Sequence, residues 1–510
     1  MSKKHWVLIT FLVLAKALLP FLLYNPAFEL HRDEYLYYEQ GGHLSFGYLE
    51  NPPLIGLLAY ISSIFGGSFF WIKFWPVLFG VLTLVVTLRM VKELGGDLFA
   101  QTIATLGILF SAYLRIHFLF QPNFLDIFFW SLSAYYLLRF INTPQNKYIF
   151  LLAFSLALGW YSKYSILFFV IALLLSFLFT YHRTIFAKRL FWLAFSLALV
   201  LILPNILWQY FHNWPLVHHM NELRETQLRN LNRLDFMKEQ ILMLFPVAFL
   251  WIGGLIWLLK NSHYRIIAYC YLLIISLLMM GSGKGYYALG AYPMLLAAGG
   301  VWAERISVKR IWLRYVFVIS ILVLALPFVP LLLPMQTPEA MAVANKEYGI
   351  EKMGVLKWED GENHSLQQDF ADMLGWKELA VKTENYYKSL PDSTKRSTLI
   401  YCRNYGLAGG MKYYTTNTDF KERIISNNGS FLLWISNRIW FKNLILVGAK
   451  TPGSDEEVFQ HFKNVQLVDS CNNPFSRQYG NKIIFFQNAS DSARLLMQKG
   501  LAEVKQQFSR

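Results

Sequence analysis

The sequence has few charged residues and few cysteines. Only 15% of its 510 residues are charged, where soluble proteins carry about 25%, and 55% are hydrophobic. This composition excludes an ordinary soluble protein and indicates a membrane protein. The three cysteines, Cys270, Cys402 and Cys471, match no zinc or haem spacing and leave room for at most one disulfide, between Cys402 and Cys471. A disulfide-stapled secreted domain is therefore excluded.

Acidic residues are also scarce, which gives a net charge of +15. Residues 334–510 are nearly balanced, with 22 basic and 19 acidic residues, so the excess lies among the apolar segments that precede them. Basic residues between apolar segments are typical of membrane topology signals and not of a nucleic-acid site. We therefore expect no nucleic-acid partner.

Long apolar runs are abundant. A spanning helix needs about 20 mostly apolar residues, and alternating such spans from a cytoplasmic N-terminus places the basic clusters inside, as the positive-inside rule expects. The sequence therefore predicts a mainly α, polytopic membrane protein. Its eleven candidate spans are 6–24, 69–91, 98–114, 124–141, 148–160, 164–180, 190–211, 240–259, 264–281, 286–303 and 311–333.

The same alternation places the loops 25–68, 115–123, 212–238 and 282–285 on the outer side, together with residues 334–510, here called the tail. We expect a transmembrane domain over 1–333 and a small α/β domain over 334–510. The tail pattern predicts one helix, Ser365–Lys382, and four strands. Those strands are expected at Thr398–Cys402, Asn443–Val447, Val465–Val468 and Lys482–Phe486. No phosphate loop or nucleophile elbow occurs in the tail sequence, so a cap or acceptor-recognition module is favoured.

Carboxylates cluster in the first outer loop, at Asp33, Glu34 and Glu50. A carboxylate at this position can serve as a general base on an acceptor hydroxyl. The alternative is a solvated interfacial loop whose aromatic residues belong to the membrane-interface belt. The apolar run Leu54–Phe65, too short to span, predicts a helix lying along the membrane.

Ionisable residues also interrupt the apolar segments. Asp126 within an apolar helix points to a functional cavity, although a structural pair with Arg115 is the alternative. Lys163 and Lys284 lie among Gly, Ser and Tyr residues on the predicted outer side and are candidates for a phosphate clamp, while snorkelling to water is the alternative.

A metal site is the least supported of these hypotheses. His218 and His219 could join Glu50 around a divalent ion. Adjacent side chains diverge on a helix or strand, so the pair is weak evidence for a shared ligand set.

These residues resemble the integral-membrane GT-C glycosyltransferases related to protein O-mannosyltransferases and the lipid A aminoarabinose transferase, especially the bacterial family 39-like members. The resemblance spans most of the chain. The matching pieces are Asp33-Glu34, Glu50-Asn51-Pro52-Pro53-Leu54, Ser162-Lys163-Tyr164, Tyr286-Tyr287 to Tyr292-Pro293, Ala297-Ala298-Gly299-Gly300, Phe370 to Trp376, and Asn404-Tyr405-Gly406.

The resemblance implies a polyprenyl-phosphate sugar donor and a reaction on the outer face of a bacterial inner membrane. It also implies that Asp33, in the Asp33-Glu34 pair, is the catalytic base and Asp126 a second site carboxylate. Lys163 would contact the donor phosphate, and Glu50 matches an acidic position linked with metal. One departure matters: the aminoarabinose transferases have a lysine where this chain has Asn51, which shifts phosphate binding towards Lys163, Lys284 or an arginine such as Arg115.

We therefore expect an inverting transfer of a sugar from a polyprenyl-phosphate donor to a hydroxyl of a glycolipid, polysaccharide or protein. The alternatives are a transporter or flippase of lipid-linked saccharides and an envelope scaffold. The sequence lacks the inverted hydropathy repeats that transporters usually show, and its polar groups collect on one predicted face. A scaffold would not explain Asp126.

Overall fold

A computed structural model of the chain describes residues 3–225, 233–450 and 457–509. Helices dominate up to residue 333, joined by 3-10 turns at 181–187, 245–247, 285–291 and 326–328. The α-helices of this part are Lys3–Leu23, Arg32–Gln40, Leu54–Ile64, Phe69–Glu93, Leu98–Leu109, Tyr113–Ile116, Pro122–Asn142, Asn146–Ser162, Ile166–Leu178, Arg189–Phe211, Pro215–Leu223, Arg233–Met243, Ala248–Lys260, Arg265–Met280, Tyr292–Ser307, Trp312–Ala325 and Val329–Leu332.

Each of the eleven predicted apolar segments overlaps a helix. By length and composition, four of the described helices could cross a membrane, or up to six if two bent helix pairs each form one span. The count of eleven stays a prediction, because several segments form helices as short as Leu98–Leu109. The helix predicted at Leu54–Phe65 is confirmed as Leu54–Ile64, and its position along the membrane stays a prediction.

Close helix packing fixes the centre of this bundle. A Cβ on Gly254 would lie 2.3 Å from the Leu295 carbonyl oxygen, and one on Gly299 would lie 2.1 Å from the Leu250 carbonyl oxygen. Small residues at such contacts let two apolar helices approach at backbone distance. The helix Tyr292–Ser307 is thereby held in the core, and the 3-10 turn that precedes it carries Lys284 at its start.

The described part of the tail contains a five-stranded sheet. Its strands are β1 Thr398–Cys402, β2 Ile424–Ile425, β3 Asn443–Ala449, β4 Phe462–Ser470 and β5 Lys482–Ala489. The strand order is β2-β1-β3-β5-β4; β1 runs parallel to β2 and β3, whereas β5 runs antiparallel to β3 and β4. All four predicted strands are confirmed; β2, only two residues long, was not predicted.

The helices of the tail differ from the prediction of a single helix over Ser365–Lys382, which is wrong. Gly375, with φ of +86°, separates Gln368–Ala371 from Trp376–Ser389, because its left-handed backbone cannot continue a helix. The other tail helices include Pro338–Glu347, Asp392–Lys395, Tyr405–Tyr414, Thr418–Glu422, Phe431–Trp434, Glu457–Gln460 and Asp491–Gln506, besides a 3-10 turn at Ile350–Met353. The disulfide left open by the sequence does not form, because Cys402 and Cys471 are free, buried thiols.

Candidate active site

The predicted outer loops and the tail meet around one cavity of about 570 Å³. Each contributes side chains that line it. These are Asp33 and Glu50 from the first loop, Arg115 and Gln121 from the second, His219 from the third, Lys284 from the fourth, and Asp369, Asp372 and Tyr405 from the tail. Lys163 lines it as well. The cavity therefore brings together residues that are far apart in the sequence.

Asp33 lies in the first turn of the helix Arg32–Gln40, here called the loop helix. His31 caps this helix, since its Nδ1 accepts the Asp33 backbone N–H at 3.2 Å. The Asp33 Oδ1 accepts from the Tyr405 hydroxyl at 2.7 Å and from Arg32 Nε at 3.3 Å, and Oδ2 accepts from Gln121 Nε2 at 3.2 Å. The carboxylate is thus held by donors from three parts of the chain.

These partners keep Asp33 ionised. Burial raises the pKa of its carboxyl, but the charge of Arg32 and the hydrogen bonds from Tyr405 and Arg32 oppose burial, and the pKa is lowered to about 2. Asp33 is therefore an anion at any physiological pH and is available to accept a proton.

Glu34, predicted as a catalytic candidate beside Asp33, does not line the cavity. Its side chain is completely buried, and both carboxylate oxygens lie 2.6 Å from Lys73 Nζ. The Phe120 and His31 backbone N–H groups donate to it at 2.6 and 2.7 Å. Because all these partners are internal, Glu34 fixes the loop helix to the helix Phe69–Glu93. We correct its role from catalytic contact to positioning.

Lys163 and Lys284 both line the cavity. Lys163 Nζ donates to Asn123 Oδ1 at 2.6 Å and lies 4.3 Å from the centroid of the Tyr287 ring, so its contacts include a neutral amide and an aromatic face. Burial lowers the pKa of Lys163 to about 8, although the Asp126 carboxylate opposes this shift; Lys284 lowers the pKa further. Both lysines thus face one cavity, and the charge of Lys284 acts on the Lys163 ammonium group.

Arg115 and Asp126 do not form the pair considered as an alternative. Arg115 lines the cavity, and its guanidinium is bound to the tail through Asp369, 2.9 Å away, and Gln367, 2.5 Å away. Asp126 accepts from Ser165 Oγ at 2.7 Å and is 3% exposed; among the described residues its Oδ1 has no hydrogen-bond partner. Asp126 does not itself line the cavity.

The three residues predicted to bind metal do not converge. Both Glu50 oxygens accept from Ser430, at 2.6 Å from its N–H and 2.5 Å from its hydroxyl. His219 lines the cavity, whereas the His218 ring packs 5.4 Å from the Phe508 ring. Within residues 3–225, 233–450 and 457–509, no group of three His, Cys, Asp or Glu side chains could hold an ion. The structure therefore does not assemble the ligand set of Glu50, His218 and His219 that the sequence suggested.

Asn51 has a structural partner of its own. Its amide pairs with that of Gln40 in both directions, at 2.9 and 3.1 Å. Asn51 stands where the aminoarabinose transferases have a lysine, and in this chain its side chain pairs with Gln40.

Sequence reasoning missed the hydrogen-bond donors that hold the carboxylates, namely Tyr405, Gln121 and Ser430. Tyr405 belongs to a motif used for the family resemblance, yet nothing in the sequence places it beside a loop 372 positions earlier. Only the packing of the tail on the loop helix makes that contact visible.

Comparison with known proteins gives a family match over part of the chain and a similar fold over nearly all of it. Residues 50–208 match the family of dolichyl-phosphate-mannose-protein mannosyltransferases. The fold is similar to that of ArnT from Cupriavidus metallidurans bound to undecaprenyl phosphate, with a TM-score of 0.63 and 13% identity over 96% of this chain and 99% of that one. The chain has the fold of the GT-C glycosyltransferases.

The apo structure of the same ArnT matches this chain with a TM-score of 0.59 and 13% identity, over 95% of this chain and 98% of that one. No curated protein matches the sequence. The family match at 50–208 includes Glu50, Asp126 and Lys163, whereas Asp33 and Lys284 lie outside it.

Proposed function

We propose that this chain is a GT-C glycosyltransferase that transfers a sugar, with inversion, from a polyprenyl-phosphate donor to a hydroxyl of a glycolipid, polysaccharide or protein. The reaction takes place on the outer face of a bacterial inner membrane, with the N-terminus in the cytoplasm and the tail in the periplasm. The observation that carries this proposal is one cavity in which an ionised carboxylate, Asp33, is combined with two lysines, Lys163 and Lys284.

The cavity wall also has an apolar part suited to a lipid chain. Its residues come from two segments that by length and composition could cross a membrane, Arg233–Lys260 counted as a bent pair and Trp312–Leu332. They are Leu242, Phe245, Pro246, Ala325, Phe328 and Leu331. A polyprenyl chain can bury its apolar surface there while its phosphate reaches the lysines. The undecaprenyl phosphate bound to C. metallidurans ArnT supports a donor of this class.

The chemistry follows from these groups. Asp33 accepts the proton of the acceptor hydroxyl while that oxygen attacks the anomeric carbon from the face opposite the phosphate. The bond between the anomeric carbon and the phosphate oxygen breaks, and the electron pair leaves with the polyprenyl phosphate. Lys163 and Lys284 neutralise the negative charge that develops on this leaving group. One displacement inverts the anomeric carbon without a covalent intermediate.

No step is assigned to a metal ion. Glu50 is the residue that the resemblance links with metal, and both of its oxygens accept hydrogen bonds from Ser430. Each oxygen keeps a further lone pair, so the EDTA arm of the transfer assay decides whether Glu50 takes part in a metal site.

The decisive experiment is a transfer assay with purified protein, a panel of undecaprenyl-phosphate sugars and a membrane extract as acceptor, with and without EDTA. Release of undecaprenyl phosphate is measured for the wild type and for Asp33→Asn. We expect this variant to remain folded and to lose about 10²-fold or more of its rate, as for removal of a general base. Asp469→Asn is the matched control, since Asp469 is a tail carboxylate that pairs with Lys382 at 3.0 Å and does not line the cavity.

Each other outcome has a defined meaning. Near-normal turnover by Asp33→Asn would remove Asp33 from the mechanism. Binding of a donor without release from any donor would favour the transporter. If EDTA abolishes turnover and added zinc or magnesium restores it, the reaction needs a metal ion.

A further inference from the structure

The tail meets the loop helix at backbone distance. The helix Tyr405–Tyr414, here called the tail helix, presents Gly406 and Gly409 to it. A Cβ on Gly406 would lie 2.6 Å from Arg32 Cγ, and one on Gly409 would lie 2.8 Å from Tyr35 Cβ and 3.0 Å from the Tyr35 backbone. Residues three apart share one helix face, so both glycines serve the same close approach.

Polar contacts fix the position of the tail helix along this face. At its start, Asn404 Oδ1 accepts the Leu407 N–H at 2.9 Å. Further along, Lys412 Nζ donates to Glu39 at 2.7 Å, and the hydroxyls of Tyr35 and Tyr414 are 3.0 Å apart. The first residue of the tail helix, Tyr405, is therefore held in a defined place relative to the loop helix.

That place is beside Asp33. The Tyr405 hydroxyl donates to Asp33 Oδ1 at 2.7 Å, and both residues line the cavity. The Arg32 guanidinium lies 5.6 Å from the centroid of the Tyr405 ring, so the ring also has a cation beside it. A hydrogen bond to a carboxylate is stronger than one between neutral groups and also selects an orientation.

We propose that Tyr405 is a positioning residue, through which the tail orients the Asp33 carboxylate towards the acceptor hydroxyl. This inference rests on the proposed function, because it gives Asp33 the role of base. It makes the tail a part of the active site, beyond the cap or acceptor-recognition module predicted from sequence.

A double-mutant cycle tests the inference. Tyr405→Phe removes only the hydroxyl, and a hydrogen bond to a charged group corresponds to about tenfold or more in rate. We expect kcat to fall by about tenfold while the donor KM changes by less than about twofold, since the lost interaction acts on orientation and not on donor binding. In an Asp33→Asn background, measured under single-turnover conditions, we expect the same substitution to change the rate by less than about twofold.

Tyr413→Phe is the matched control. Tyr413 lies on the same tail helix and packs its ring 5.7 Å from the Tyr35 ring, but it does not line the cavity. We expect its kcat to match the wild type, with a thermal midpoint equal to that of Tyr405→Phe within experimental error.

The outcomes separate this inference from the proposed function. If Asp33→Asn loses turnover and Tyr405→Phe slows both backgrounds by the same factor, the inference is overturned and the proposed function stands. An unchanged kcat in Tyr405→Phe overturns it in the same way. Normal turnover in Asp33→Asn overturns the proposed base and the inference together.

Discussion

The two sides of the loop helix present the same chemical group in opposite surroundings. Towards the helix Phe69–Glu93, the Glu34 carboxylate is sealed against Lys73, and both side chains are completely buried. Towards the cavity, the neighbouring Asp33 carboxylate is 25% exposed and is held by Arg32, Gln121 and Tyr405. Adjacent carboxylates thus take different roles because of what packs on each side.

The difference lies in whether a partner can be exchanged. Breaking the Glu34–Lys73 pair leaves a buried charge without its partner, which lowers the stability of the fold. Substrate can replace a partner of Asp33, because that carboxylate opens onto a cavity. Substitutions on the sealed side should therefore affect stability first, and substitutions on the open side should affect turnover first.

The largest expected effect is on the sealed side. Lys73→Met leaves the Glu34 carboxylate buried without its cation, which typically costs about 3–5 kcal/mol of the free energy of unfolding. Thermal unfolding in detergent measures this loss. The double variant Lys73→Met/Glu34→Gln should recover much of it, since no buried charge remains. A single variant as stable as the wild type would contradict the sealed-pair interpretation.

Next in size is the loss of a cation on the open side. We expect Lys163→Ala to weaken binding of undecaprenyl phosphate by about tenfold or more, as for the loss of a charged hydrogen bond, with little change in stability. Lys147→Ala is the control, because Lys147 lies at the opposite end of the helix Asn146–Ser162. Unchanged affinity of Lys163→Ala for undecaprenyl phosphate would indicate that Lys163 only extends its ammonium group to water.

A pH effect follows from the same lysine. With a pKa of about 8 in the free enzyme, Lys163 is protonated below this pH and neutral above it. A phosphate prefers the protonated form, so kcat/KM for the donor should decline as the pH rises through about 8. Lys163→Arg should remove this decline, since an arginine stays charged. Asp33, with a pKa of about 2, should give no decline between pH 5 and 7.

The smallest effect concerns Glu50, whose environment is intermediate. Glu50 lines the cavity, as Asp33 does. Both of its carboxylate oxygens nevertheless accept hydrogen bonds from Ser430 in the tail, just as the oxygens of Glu34 accept from internal partners. Burial raises the pKa of Glu50, and the Ser430 hydroxyl opposes that shift. Ser430→Ala should therefore raise the pKa further and cost about 1–2 kcal/mol of stability. A tenfold loss of turnover at unchanged stability would instead place Glu50 in the chemistry.

Much of the architecture can be predicted from sequence. Apolar runs such as 69–91 and 190–211 identify helices because a chain in lipid must satisfy its own backbone hydrogen bonds. The alternation of basic clusters also assigns Asp33, Arg115, Lys163 and Lys284 to one side, and all four line the same cavity.

What cannot be predicted depends on contacts between distant segments. Asp33 and Glu34 are adjacent in sequence, and only packing separates a cavity carboxylate from a sealed one. The break at Gly375 was missed because helix periodicity continues across it, while its positive φ is a property of the tertiary fold. The predicted ligand set of Glu50, His218 and His219 does not form for the same reason, since Ser430 binds the Glu50 oxygens from 380 positions away.

The contact between Tyr405 and Asp33 has a consequence for biosynthesis. It joins residues 372 positions apart, and at roughly 5–20 residues per second the ribosome needs on the order of half a minute to make the chain between them. During that time the Asp33 segment precedes its partner. The surroundings of Asp33 are therefore completed only when the tail helix docks.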